Sequence, residues 1–90
     1  MQRDAFEREL ALEGFTELVK VTRESGDLDV HAHPFEAKAL ILFGEIAIRV
    51  GDSERVYYEG DVFHLKANEA HAERYGPAGV QYLVGRKTLH

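Results

Sequence analysis

Turn-forming residues divide most of this chain into short extended segments, and this spacing limits its fold more than any other feature. The turns contain glycine and lie at residues 25–27, 51–53, 59–61 and 76–79. Between them apolar side chains recur at every second position, as at Ile46, Ile48 and Val50. About eight or nine short strands follow from this pattern, and they indicate an antiparallel all-β sandwich or barrel.

The predicted strands begin near residue 15 and continue almost to the end of the chain. They cover about residues 15–24, 28–33, 37–43, 45–50, 55–58, 62–65, 70–75 and 80–84. The segment 37–43 is nearly all apolar, so it should be buried on both faces, and Gly44 should interrupt it. Residues 76–79 should form a loop between the last two strands.

A short helix is predicted before the strands, over about residues 4–12. Asp4 would be its N-cap, and Gly14 would end it. Phe6 and Leu10 lie one turn apart on the same side of the helix. Because so short a helix is not stable alone in water, this apolar side should pack against the sheet or against a second subunit.

Length and charge exclude several classes of protein. A chain of 90 residues should bury about 60 to 65% of its unfolded surface, so we expect one domain over 1–90, with a barrel over about 15–85. The net charge of -5, from 11 basic and 16 acidic residues, disfavours nucleic acid as a partner. No segment is apolar over the length of a membrane span or resembles a signal peptide, so we expect a cytoplasmic protein.

Two histidines, His31 and His33, stand two residues apart on a predicted strand, so their side chains point the same way and can bind one metal ion. His71 follows the turn-like segment 66–70 and is the natural partner to complete a three-nitrogen site. Since the chain has no cysteine, any metal must be bound by imidazole and carboxylate groups. Such a histidine pair also occurs on solvent-exposed strand faces without a metal. The spacing of the residues around the pair decides between a metal site and an exposed face.

That spacing resembles the first sequence motif of the cupins, which are double-stranded β-helix or jelly-roll barrels of the RmlC-like superfamily. The motif places a glycine before His-x-His, a glutamate after it and a second glycine further on. His31, His33 and Gly44 fit this order. Gly26 also fits, although the interval between it and His31 is one residue shorter than is usual.

The second cupin motif is matched by Gly60, Asp61 and His71. Three positions depart from it, with Lys66, Asn68 and Tyr75 standing where proline, glycine and asparagine are usual. Asn68 is a mild replacement, because asparagine tolerates a left-handed backbone. The two motifs together cover 26–75, more than half of the chain. The resemblance therefore implies a small single-domain cupin barrel with a short N-terminal helix.

The resemblance also implies a metal held by three histidines and a glutamate, but Ala37 occupies the glutamate position and Glu36 lies one residue too early. Because side chains alternate faces, Glu36 would be a fourth ligand only if the chain bends after Pro34, and is otherwise a solvated carboxylate near Lys38. The expected metal ligands are His31, His33 and His71. The ion would be one divalent transition metal, Fe, Zn, Ni, Mn or Cu, and the sequence does not choose among them.

Apolar and aromatic residues of the predicted barrel strands would form the walls of a pocket around the metal. The candidates are Phe35, Ile41, Phe43, Ile48, Tyr75 and Tyr82. We interpret them first as packing residues and second as substrate contacts. The other two histidines are not expected to bind metal, because His64 is out of phase with its apolar neighbours and His90 is terminal.

Two classes of function remain open at this stage. The resemblance implies a metal-dependent dioxygenase or isomerase that acts on a small molecule. The alternative is a non-catalytic cupin that binds or stores a small molecule, since no general base is evident beside the three histidines. We also expect a homodimer, because Leu40, Leu42 and the apolar side of the helix would otherwise be uncovered.

Overall fold

The chain forms a short helix followed by strands that pair into one antiparallel sheet. In the computed structural model, which describes residues 1–88, the helix α1 is Arg3–Glu13. The strands are β1 Glu17–Arg23, β2 Gly26–His31, β3 Phe35–Val50, β4 Ser53–Tyr58, β5 Val62–Leu65 and β6 His71–Thr88. Every pairing between these strands is antiparallel, so the all-β class predicted from the turns is confirmed.

The two longest strands, β3 and β6, lie side by side at the centre of the sheet. The strand order is β1-β6-β3-β4, with β2 also paired to β6 and β5 also paired to β3. β6 therefore pairs with β1 through residues 80–86 and with β2 through residues 71–75. This sharing of one long strand places β2, with its histidine, directly beside the segment of β6 that carries His71.

The predicted interruption at Gly44 is wrong, because β3 runs through it with only shifts of register. Opposite it on β6, Gly44 pairs with Val80 while Ile46 pairs with Tyr75, so residues 76–79 bulge out of a continuous strand instead of forming a separate loop. Gly44 has a φ of 75°, and a Cβ there would lie 2.1 Å from a carbonyl oxygen of this bulge. Only glycine fits such a close crossing of two backbones.

Two groups of buried side chains lie on opposite faces of the sheet, because neighbouring residues of β3 and β6 alternate between them. The inner group consists of Ala37, Ala39, Ile41, Ile46, Ile48, Phe63, Leu65, Tyr75, Val80, Tyr82 and Val84. The outer group consists of Phe6, Leu10, Phe15, Leu40 and Leu83. The inner group forms the core beside which the candidate site lies.

Helix α1 covers the outer face of the sheet. Phe6 and Leu10 are 0% and 1% exposed, and they pack against Leu40 of β3 and Leu83 of β6. The burial of these side chains within one chain is the main stabilisation available to so short a helix. The sheet, one of the two surfaces predicted for the apolar side of the helix, therefore covers it, and Leu40 is buried without a second subunit.

The ends of α1 differ in part from the predicted ones. The N-cap is Gln2 instead of Asp4, because the Gln2 carbonyl already accepts a hydrogen bond from the Phe6 N–H at 3.0 Å. Asp4 lies in the first turn, where a carboxylate interacts favourably with the helix dipole. Gly14 ends the helix with a left-handed φ of 86°, as predicted. Over residues 1–88, no helix has the length and apolar character needed to cross a membrane.

Candidate metal centre

Strands β2 and β6 bring the three predicted histidines together. His31 lies directly opposite His71 in the ladder between them, after an irregularity of β2 that follows Leu28. His33 lies just beyond the end of β2, and its carbonyl accepts a hydrogen bond from the Asn68 N–H at 2.7 Å. Asn68 has a φ of 62°, the left-handed backbone for which asparagine is suited. The centroids of the three imidazole rings lie 4.3 to 5.5 Å apart.

Glu73 is the fourth member of this cluster. It follows His71 by two residues on β6, so the two side chains point to the same face. One potential ligand atom from each of the four residues His31, His33, His71 and Glu73 lies within 4.8 Å of the others. Glu73 is not among the site residues predicted from the sequence, although the spacing of His71 and Glu73 repeats that of His31 and His33 on another predicted strand.

Two of the imidazole rings are oriented by backbone carbonyl groups of their own strands. The Nδ1 atom of His31 lies 2.8 Å from the Asp29 oxygen, and the Nδ1 atom of His71 lies 3.0 Å from the Glu69 oxygen. Because a carbonyl oxygen can only accept, each Nδ1 carries the proton and donates it. In the neutral ring the lone pair then lies on Nε2, as it does in histidines that bind metals through that atom.

Both of these Nε2 atoms approach the same carboxylate oxygen. Oε2 of Glu73 lies 3.1 Å from Nε2 of His31 and 3.2 Å from Nε2 of His71. Nε2 of His31 is buried and makes no hydrogen bond among residues 1–88. Lone pairs of neutral imidazoles facing a carboxylate repel it, so the arrangement requires a positive charge, either a proton or a metal ion. The donor set fits a divalent transition metal.

The protonation equilibria of the cluster are coupled through Glu73. The hydrogen bond with the Glu73 carboxylate raises the pKa of His71, and this effect outweighs burial, which lowers it. Burial raises the pKa of Glu73, but the hydrogen bonds from His71 and Tyr75 outweigh burial and hold this pKa below its ordinary value. Burial, followed by the positive charges of the other two histidines, lowers the pKa of His33. Glu73 is thus ionised, and His33 favours the neutral form that binds metals.

Two tyrosines lie close to the carboxylate of Glu73. The hydroxyl of Tyr75 donates to Oε1 of Glu73 at 3.1 Å. Burial, with the nearby Glu73 charge, raises the pKa of Tyr75 to about 12, and the same two causes raise the pKa of Tyr82 even further. Both hydroxyls therefore remain protonated near neutral pH, and the hydroxyl of Tyr75 donates to the Glu73 carboxylate.

The structure does not bring Glu36 to the cluster. Its Oε2 lies 2.5 Å from Nε2 of His64 across the β3–β5 ladder, and Lys38 binds Glu13 instead. Glu36 therefore lies on a strand and pairs with a histidine, which differs from both alternatives derived from the sequence. His64, which was not expected to bind metal, is exposed and hydrogen-bonded to Glu36, while His90 lies outside the described residues. Ala37, on the opposite face from Glu36, lines the cavity beside the cluster.

A cavity of about 90 Å³ adjoins the four clustered side chains. Of the six pocket residues proposed from the sequence, Phe35 and Tyr82 line this cavity. Tyr75 reaches the site through its bond to Glu73, and Ile41 and Ile48 lie in the inner core. Phe43 is 52% exposed, because it follows the register shift before Gly44 and turns outward.

Comparison with solved structures identifies the architecture as a cupin barrel, which confirms the predicted fold. A cupin-2 domain protein from Shewanella frigidimarina NCIMB 400 superposes with a TM-score of 0.62 at 17% identity, covering 78% of this chain and 67% of the other. An RmlC-like cupin from the same organism gives a TM-score of 0.64 at 22% identity, with 82% and 68% covered. A proposed ethanolamine utilization protein Q from Salmonella typhimurium LT2 gives 0.71 at 14% identity, with 81% and 58% covered.

At these identities the likeness establishes the fold, and the chain spans 58 to 68% of the length of these three structures. No protein-family model and no curated protein matches the sequence. The class of protein is therefore defined by the cupin fold. Within that fold, and among residues 1–88, His31, His33, His71 and Glu73 form the cluster that could hold a metal ion.

Proposed function

We propose that this chain binds one divalent transition-metal ion through His31, His33, His71 and Glu73, and holds a small molecule beside it. The observation that supports this most strongly is the convergence of two carbonyl-oriented Nε2 atoms on one oxygen of Glu73. Such outer hydrogen bonds fix the tautomer and orientation of metal-binding imidazoles. Glu73, instead of the possible fourth ligand Glu36, would thus supply a carboxylate to the ion.

The number and type of the donor groups favour some metal ions over others. Three imidazoles and one carboxylate would fill the four positions of a tetrahedral zinc site, whereas an ion that prefers six ligands keeps positions open for a small molecule. One carboxylate also leaves a divalent ion with a net charge of about +1, which favours an anionic ligand. We therefore place iron, manganese or nickel above zinc as the functional metal, with copper as a further candidate.

We further propose that the site carries out dioxygen chemistry in preference to isomerisation. A bound ion would supply a Lewis acid that holds oxygen ligands. An isomerase also needs a general base, but Tyr75 and Tyr82 remain protonated and Glu73 would be occupied by the ion. The lack of a general base also supports a second candidate function, which is binding or storage of a small molecule without turnover. Oxygen consumption by iron-loaded protein in the presence of candidate substrates separates the two.

The metal itself is tested on protein purified without an affinity tag, by elemental analysis and by titration of the metal-free form. We expect about one ion per chain, and His71→Ala or Glu73→Gln should lower the affinity about 10-fold or more. His64→Ala is the matched control, because His64 also pairs with a glutamate but lies outside the cluster. A wild-type protein that binds no ion, or a control that loses binding equally, would refute the proposal.

We also propose that the chain forms a homodimer through the exposed strand β2. Leu28 and Val30 are 42% and 60% exposed, and they border an open groove of about 480 Å³. The groove carries charges of both signs, on Asp27, Asp29, Arg49, Glu54 and Arg74. A second copy related by a two-fold axis could bring acidic groups of one subunit near basic groups of the other. Light scattering that returned the mass of one chain at micromolar concentration would contradict this proposal.

A further inference from the structure

Arg86 extends the inner face of β6 to the wall of the cavity. Tyr82 and Val84 belong to the inner core, and Arg86 follows at the next position on the same face. The Cζ atom of its guanidinium lies 4.8 Å from the centroid of the Phe35 ring. Phe35 in turn stacks on His33, with ring centroids 4.9 Å apart. A permanent positive charge is thus held beside one of the proposed metal ligands.

Part of the guanidinium of Arg86 lacks an acceptor. Nη1 donates to Oε1 of Glu17 at 3.3 Å, a long bond to a side chain that is 58% exposed. Nε is buried and makes no hydrogen bond among residues 1–88. Leaving a buried cationic N–H without an acceptor is costly, so a cavity wall of this kind is suited to an anion with oxygen acceptors.

The other residues around the cavity also favour an anion. Arg23 continues the inner face of β1 two residues after Val21 and lines the same cavity. Among the described lining residues, Glu73 is the one carboxylate, and a bound divalent ion would more than neutralise it. Much of the remaining wall is apolar and includes Ala37, Phe63, Leu65 and Val84. A wall that combines positive charge with apolar surface suits a short aliphatic acid.

We propose that the cavity binds a small 2-hydroxy or 2-oxo carboxylic acid, whose carboxylate accepts hydrogen bonds from Arg86 while its oxygen atoms also reach the ion. This inference rests on the proposed metal site, because the second oxygen needs the ion as its partner. The cavity of about 90 Å³ is small, which favours a ligand of a few heavy atoms. Arg23 adds a second positive charge that attracts the acid to the site.

The test uses two probes of equal size, glycolate and its neutral amide, glycolamide, with Co(II)-loaded protein. Visible absorption of the cobalt ion and calorimetry measure their binding. We expect wild type to bind glycolate at least about 10-fold more tightly than glycolamide. Arg86→Gln should lower glycolate affinity about 10-fold or more, while glycolamide affinity and the affinity for Co(II) change less than about twofold. Arg8→Gln, at an exposed position of α1, is the control and should change neither.

Arg86→Lys is a second variant that separates a loss of glycolate binding from a loss of folding. It keeps the positive charge but loses the planar group of donors. It should retain part of the preference for glycolate, and its melting temperature should match that of wild type. If wild type binds Co(II) but does not distinguish the two probes, or if Arg86→Gln leaves glycolate binding unchanged, the inference is overturned while the metal site stands. If wild type binds no Co(II), the metal site and this inference both fail.

Discussion

Nε2 of His31 lies 3.1 Å from Oε2 of Glu73 without forming a hydrogen bond to it. The Nδ1 proton of this ring is already donated to the Asp29 carbonyl, so the imidazole cannot turn to offer a proton without losing that bond. The relationship is therefore unfavourable unless a proton on Nε2 or a metal ion supplies a positive charge between the two atoms. The folding of β2 therefore already orients the His31 ring for binding an ion.

Replacing Ala37 with glutamate should restore a carboxylate at the position where cupins carry one. Ala37 is 6% exposed and lines the cavity, so Ala37→Glu would place a second carboxylate near Glu73. We expect the metal-free variant to melt at a lower temperature, because two buried carboxylates repel each other, and to gain more than wild type from an added divalent ion. The larger side chain should also exclude glycolate. Glu36→Ala is the control and should leave metal affinity unchanged, whereas a 10-fold loss in it would show that Glu36 reaches the ion.

The pair of His71 and Glu73 should make the metal-free protein depend on pH in a defined direction. The pKa of His71 is raised, so its stabilising effect is complete below the unfolded value of about 6.5 and is lost as the pH rises through the folded pKa. The pKa of Glu73 is lowered, so its effect is present above the unfolded value of about 4.3 and is lost as the pH falls through the folded pKa. Both effects coexist between about pH 4.3 and 6.5.

This dependence is measured by comparing wild type with Glu73→Gln in the presence of a chelator. The advantage of wild type should be about 1 to 3 kcal/mol near pH 5.5 and should shrink towards pH 8.5. With a saturating divalent metal the trend should reverse, because the ion binds deprotonated imidazoles and stabilises wild type more as the pH rises. An advantage that grows with pH in the metal-free protein would show that the two groups do not interact as described.

Gly44→Ala should be strongly destabilising. A Cβ at this position would meet the carbonyl oxygen of Gly79 at 2.1 Å, and the φ of 75° is unfavourable for alanine. We expect a loss of at least about 2 kcal/mol in the free energy of unfolding, measured by urea denaturation. Gly51→Ala is the matched control, since its φ is 59° but nothing lies within 4 Å of the added atom. It should cost only about 1 kcal/mol, and equal losses in the two variants would exclude the close crossing.

Leu10→Ala should show whether α1 packs on its own sheet. Leu10 is 1% exposed against Leu40 and Leu83, so its truncation should cost about 2 to 5 kcal/mol. Leu12→Ala, at a position that is 88% exposed, should change stability by less than about 0.5 kcal/mol. If the loss in Leu10→Ala depends on protein concentration, the helix packs between subunits instead.

The local pattern of the sequence predicted most of the strands, because turn glycines and a period of two depend only on neighbouring residues. It failed at Gly44, where a glycine typical of a break instead allows β3 to cross the 76–79 bulge, a contact between distant segments. The grouping of His31 with His71 follows from the turn-like segment before His71 and is supported by the resemblance to cupin motifs. Glu73 was missed because its relation to His31 depends on the register between β2 and β6, which no local pattern specifies.

β2 is an edge strand whose pairing, among residues 1–88, is with β6 alone. A cation joining His31 to His71 would cross-link positions 40 residues apart in the chain, and so would oppose the local separation of these two strands. The amide protons of β2 should then exchange with solvent at a rate set by how much of the protein carries metal. Hydrogen exchange in this strand would report occupancy of the site, and removal of the ion would release the edge of the sheet before the core around β3 opens.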